Sequence, residues 1–106
     1  MFAGMLRNGG YEVFEAKNGR EALEHLKREP VDLVITDMIM PEMDGVQTIM
    51  AVRDHCPGAK IIAVAESRFT PAESSLKIAR ALGSHKTLVK PLIPHELFDA
   101  IRELVG

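Results

Sequence analysis

The sequence predicts an α/β protein of three layers, with a parallel sheet between helices on both of its faces. Two hydrophobic patterns alternate along the chain: short, nearly continuous apolar runs typical of buried strands, and the i, i+3, i+4 spacing of amphipathic helices. Glycine and proline separate these segments. Regular strand–helix alternation favours parallel strands joined by helical crossovers. Right-handed crossovers then bring the carboxyl ends of all strands to one edge.

The amino-terminal part is predicted to hold two helices and a strand. Residues 1–8 are predicted to be the last part of a helix, because the pair Gly9-Gly10 that follows is a strong helix stop. Residues 11–16 alternate in part between apolar and polar side chains, which predicts a strand. Residues 19–28 predict a helix with Asn18 as its N-cap. The apolar face of that helix consists of Ala22, Leu23 and Leu26.

Two buried strands and the helix between them form the predicted centre of the fold. Residues 31–36 and 60–65 are short apolar runs, as expected for strands covered on both faces. Residues 38–45 are a loop, and residues 46–55 predict a helix that Pro57-Gly58 closes. The positions of this helix expected to point inward are Ile49, Met50 and Val52.

The carboxyl-terminal part predicts a helix, a short strand and a last helix. Thr70 and Pro71 suit the N-cap and first position of a helix that runs to about Leu82. Residues 87–89 predict the short strand, and residues 95–105 the final helix. The core stripe of the final helix is Leu97, Phe98, Ile101, Leu104 and Val105.

Length and composition bound the function. The 106 residues suit one domain, 1–106, and the net charge is -2 with no basic run, so direct nucleic-acid binding is not expected. No apolar stretch approaches the length of a membrane span. Cys56 is the only cysteine, which suits a reducing compartment and a cytoplasmic protein; we interpret it as a half-buried small residue.

Charged residues follow the predicted strands where ligands bind in open α/β sheets. Asp37 follows the strand 31–36, Glu66 follows Ala65, and Lys90 follows the last strand. A carboxylate can act as nucleophile toward a phosphoryl group, with a lysine and a divalent cation to neutralise charge. Taken singly, each residue is a weak signal, since an Asp after a strand is usually a turn or cap residue and a Lys before a Pro is usually a solvated charge. The four histidines show no metal-ligand spacing and are interpreted as surface or capping residues.

Two motifs resemble the receiver domain of two-component response regulators. The segment Val31–Gly45, VDLVITDMIMPEMDG, is similar to the receiver signature around the phosphorylated aspartate, and Leu88–Leu92, LVKPL, to the last strand with its Lys-Pro pair. Shorter segments agree in order over the whole chain. The resemblance implies a flavodoxin-like fold and a phosphorylation-dependent signalling switch rather than an enzyme.

The resemblance also implies roles for individual residues. Asp37 would take phosphate from a sensor histidine kinase, and Lys90 would pair with that phosphate. The Asp37 carboxylate and the backbone carbonyl of Ile39 would bind magnesium. The Lys90–Pro91 peptide bond would be cis.

Three departures from the family pattern bear on these roles. Ala65 stands at the phosphate-binding position that is usually Ser or Thr, and Thr87 stands at the aromatic switch position. The chain starts inside what would be the first helix, so the first strand and its acidic pair for magnesium are absent. We therefore expect weak magnesium binding. Three explanations stay open for how the sheet is completed without its first strand: a natural start upstream of Met1, a rearrangement of the sheet, or a strand supplied by a partner chain, for example in a homodimer.

Two other function classes compete with the phosphorylated switch. One is a receiver-like interaction module that is not phosphorylated, which the absent acidic pair, Ala65 and Thr87 all favour. The other is an aspartate-nucleophile phosphatase, but such enzymes carry a second Asp two residues after the nucleophile, where this chain has Ile39.

Overall fold

The computed structural model describes residues 2–16, 19–37, 44–66, 77 and 79–105. Its helices are α1 (Phe2–Asn8), α2 (Gly19–Arg28), α3 (Asp44–His55) and α4 (Pro94–Val105). Its strands are β1 (Leu33–Asp37), β2 (Lys60–Glu66) and β3 (Lys86–Lys90). Residues 79–82 are also helical; the rest of the helix predicted for 70–82 lies largely outside the described residues.

The three strands form one parallel sheet in the order β1-β2-β3. The register pairs Ile35 with Ile62 and Val64 with Leu88. Strand β2 is central, and its residues 61–65 are all buried, which explains why its sequence is a continuous apolar run. The predicted strands at 31–36, 60–65 and 87–89 are confirmed within two residues at each boundary.

Two apolar cores cover the two faces of the sheet, as the three-layer prediction requires. One core joins α2 and α3 to one face, through Leu26, Ile49, Val52, Ala59, Ile61, Ala63 and Ala79. The other joins α1 and α4 to the opposite face, through Leu6, Ile62, Val64, Leu97, Ala100 and Ile101. Neighbouring residues of β2 alternate between the two cores because strand side chains alternate between faces.

The prediction of a strand at residues 11–16 is wrong. Tyr11 and Val13 do pack against the second core while Glu12 and Phe14 are exposed, which is the alternation seen in the sequence. A strand also needs backbone hydrogen bonds to a neighbouring strand, and the structure describes none between this segment and β1, whose one described neighbour is β2. The segment is instead held to α1: Tyr11 N donates to Leu6 O at 3.1 Å, and Arg7 Nη2 donates to Val13 O at 3.1 Å.

Two side chains assigned to the core from helical spacing are exposed. Met50 is 52% exposed although its neighbour Ile49 is fully buried, and Val105 is 37% exposed. Met50 follows Ile49 by one position, about 100° around a helix, and therefore leaves the buried stripe. Val105 is the last residue of α4, beyond the core contact of Ile101.

No helix in the described part of the chain combines the length and the apolar character needed to cross a bilayer.

Candidate functional site

The residues predicted for the site end the three strands at one edge of the sheet. Asp37 is the last residue of β1, Glu66 of β2 and Lys90 of β3. Asp37 lies opposite Val64, whereas Lys90 lies opposite Glu66, two residues further on. Two strand spacings, about 10 Å, and two residues, about 7 Å, thus separate the backbones of Asp37 and Lys90. A small anion bound between them would lie within reach of a flexible lysine stem.

Lys90 is half-buried, and the Lys90–Pro91 peptide bond is cis, as predicted. Pro91 has no backbone N–H, so it suits the point at which β3 ends. The lysine thereby terminates the strand at the same edge as Asp37.

Ala65 contributes backbone but no polar side-chain atom to this edge. It is fully buried, lies opposite Val89, and precedes Glu66, which is opposite Lys90. Where a serine or threonine would place a hydroxyl next to the strand end, this chain has only a methyl group. A phosphate bound at this edge would therefore lack one hydrogen-bond donor.

Thr87 is half-buried in β3 opposite Ala63. Its Oγ1 accepts a hydrogen bond of 3.3 Å from Arg80 Nη2, from the helical residues that precede β3. The predicted switch position is thus connected to that helix by a polar contact instead of an aromatic ring.

The structure describes only one of the two residues predicted to bind a metal, Asp37 and Ile39. The backbone of Asp37 is described, and Ile39 lies outside the described residues. Within those ranges no group of three or more His, Cys, Asp or Glu side chains is placed to hold a metal ion.

Two histidines have contacts that the sequence did not reveal. His25 is half-buried, and its ring contacts that of Phe14 in a tilted arrangement with 4.3 Å between the centroids. Its Nε2 is buried without a described hydrogen-bond partner. His85 Nδ1 accepts a hydrogen bond of 3.0 Å from Ile61 N. The prediction of surface or capping roles is wrong for His25, whose ring packs under Phe14, and incomplete for His85.

His55 agrees with the predicted capping role, since His55 Nδ1 lies 3.1 Å from Ala51 O at the end of α3. Cys56 is half-buried, as predicted.

Comparisons with known proteins agree on one family. A family model described as response regulator receiver domain matches residues 1–102. The chain is 34% identical over 105 residues to the chemotaxis protein CheY of Thermotoga maritima, covering 98% of this chain and 85% of that protein. The structure of chemotaxis protein CheY4 of Vibrio cholerae superposes with a TM-score of 0.83 at 30% identity, over 99% of this chain and 87% of that one.

A further similar structure is the receiver domain of a sensor histidine kinase of Pseudomonas aeruginosa, with a magnesium ion coordinated in its active-site cleft. It has a TM-score of 0.81 and 26% identity, and covers 99% of this chain and 85% of that one. The likeness to these structures confirms the three-layer, flavodoxin-like fold class predicted from the sequence.

Proposed function

Because the chain belongs to the family of response regulator receiver domains, we propose that it is a phosphorylation-dependent switch with Asp37 as acceptor. A carboxylate oxygen of Asp37 attacks the phosphorus of a phosphohistidine on a sensor histidine kinase. The P–O bond forms as the P–N bond breaks, and the histidine nitrogen retains the electron pair and gains a proton. The product is an aspartyl phosphate.

The observation that supports this proposal best is the shared edge of Asp37 and Lys90. Both residues end parallel strands that flank β2, so the sheet brings their backbones to the same rim. The ammonium group of Lys90 offsets part of the repulsion between an anionic phosphodonor and the carboxylate. Phosphoryl transfer depends chiefly on such positioning and charge neutralisation.

We expect magnesium to assist the reaction but to bind weakly. Bound magnesium would neutralise charge on the phosphoryl group. The proposed protein ligands are the Asp37 carboxylate and the Ile39 carbonyl, and the described residues do not assemble a cluster of three ligating side chains. Magnesium demands near-octahedral oxygen ligation, so this donor set favours low affinity.

The proposed switch transmits a local change in charge. Phosphorylation would add about -1.5 to -2 charges at Asp37. Since Ala65 lacks a hydroxyl, the phosphate has less direct contact with the end of β2. Transmission then depends on the contact between Thr87 and Arg80, which joins β3 to the preceding helical residues.

A receiver-like interaction module that is not phosphorylated is the second candidate, favoured by Ala65 and Thr87. In both proposals the chain acts in the cytoplasm as a signalling partner, not as an enzyme or a direct nucleic-acid binder.

The test is incubation with magnesium and acetyl phosphate, followed by intact mass. The unaltered chain should gain one phosphoryl group slowly, Asp37→Asn should gain none, and Asp32→Asn should behave like the unaltered chain. Asp32 is an exposed aspartate that precedes β1 at the opposite edge, which makes it a matched control. Ala65→Thr should accelerate the gain, because it adds a donor for the phosphate. No gain in any variant would favour the unphosphorylated module, and a gain that survives Asp37→Asn would refute the proposed acceptor.

A further inference from the structure

A cleft of about 310 Å³ lies at the amino-terminal edge of the sheet, away from Asp37 and Lys90. Its lining residues are Arg53, Pro57, Ala59, Ile61, Gly83 and His85. The length of β2 separates this cleft from the proposed phosphorylation edge, a distance of about 20 Å. Ala59 and Ile61 are buried in the core behind the cleft, and the exposed Arg53 and His85 supply its polar groups.

Arg53 is held in a fixed position at this cleft. Its Nη1 donates a hydrogen bond of 2.7 Å to Leu82 O. Its side chain also lies against Gly83, where an added Cβ would come within 2.9 Å of Arg53 Cδ. Among the described residues Arg53 has no carboxylate partner, and the single hydrogen bond leaves four of its five N–H donors for a ligand. The positive charge at the cleft is therefore uncompensated by a described side chain.

His85 presents a second donor. Its Nδ1 accepts the hydrogen bond from the buried Ile61 N–H, so the proton of the neutral ring resides on Nε2. His85 N also donates to Ile61 O at 2.8 Å, which fixes the residue at the start of β3. The ring is exposed and lines the cleft, so its Nε2–H is a donor whose tautomer is set by the backbone.

We propose that this cleft binds a small oxyanion, a phosphate or carboxylate group, between the Arg53 guanidinium and the His85 Nε2–H. A guanidinium fork matches the oxygens of either group, and charge-assisted hydrogen bonds are the stronger kind. The volume lies at the lower end of the range for small-molecule sites.

The test is titration of the unaltered chain with inorganic phosphate, and separately with acetate, at constant ionic strength, followed by amide NMR shifts. Saturable shifts are expected for Gly83, Ser84 and His85. Arg53→Gln should weaken binding by about tenfold or more, as loss of a hydrogen bond to a charged group implies. Arg28→Gln is the matched control, since Arg28 is an exposed arginine outside the cleft, and it should leave the affinity unchanged.

A second variant separates binding from folding. His85→Asn keeps an acceptor for the Ile61 N–H but lacks the Nε2–H donor, so it should remain folded and bind the anion about threefold or more weakly. Equal affinity in the unaltered chain and in Arg53→Gln would overturn the proposal. So would shifts that never saturate, or phosphate shifts confined to residues around Lys90. Preference for phosphate over acetate, or the reverse, identifies which oxyanion the cleft is built for.

Discussion

The hydrogen bond between Ile61 N and His85 Nδ1 allows a quantitative test of how β2 and β3 are joined. Ile61 and His85 are hydrogen-bonded one position before the first residue pair of the β2–β3 ladder, Ile62 and Lys86. Ile61 is 1% exposed with the His85 ring in place, and the ring nitrogen is the acceptor of its N–H. Leaving a buried donor unsatisfied costs about 1–3 kcal/mol. We predict a loss of this size in the free energy of unfolding for His85→Ala.

The matched variant is His85→Asn, because Asn Oδ1 and His Nδ1 are attached to Cγ in the same way. We predict that His85→Asn retains most of the stability and loses less than about 1 kcal/mol. Urea unfolding measures both values, and hydrogen exchange should show a protected Ile61 amide in the Asn variant and faster exchange in the Ala variant. Equal losses for Ala and Asn, with equal protection of the Ile61 amide, would refute this account of the contact.

Three further predictions concern the backbone, a buried hydroxyl and the open sheet. Gly83 has a φ of +110°, so Gly83→Ala should lower the free energy of unfolding by about 1–2 kcal/mol. The control is Gly58→Ala, where an added Cβ meets nothing within 4 Å, and it should change that free energy by less than about 0.5 kcal/mol. Equal urea midpoints for the two variants would contradict this. Ser84 Oγ is buried without a described partner, so Ser84→Ala should raise the free energy of unfolding by about 1 kcal/mol; a lower midpoint would show that the hydroxyl is satisfied. The edge of β1 opposite β2 has no described strand, so we predict a homodimer; light scattering that finds a monomer at all concentrations would contradict it.

The sequence predicted strands and helices correctly where their buried side chains recur at regular spacing. The continuous run in β2 and the stripe of Leu97 and Ile101 in α4 follow from simple spacing, and both are buried as predicted. Residues 11–16 show the limit of this reasoning, because alternation reports which side chains face the core and not whether a partner strand is present. Met50 shows another, since an apolar residue beside the stripe has no polar signal that marks it as exposed.

The candidate site was predictable to a similar extent. The ends of parallel strands place Asp37, Glu66 and Lys90 at one edge once the topology is known. The role of His85 could not be predicted, because its ring accepts from a residue distant in sequence and no spacing encodes that contact. Arg53 is similar: its position depends on Leu82 and Gly83 of another segment.

The most direct test of the central proposal is to locate the phosphoryl group in the unaltered chain. The protein is treated with magnesium and acetyl phosphate and then with borohydride, which reduces an aspartyl phosphate to homoserine and leaves free carboxylates unchanged. Peptide mass mapping then identifies the converted residue. We predict conversion at Asp37 alone and in a minor fraction of molecules, because Ala65 supplies no donor and magnesium binds weakly. Conversion at another aspartate, or no conversion after prolonged incubation, would contradict the assignment of Asp37 as phosphoacceptor.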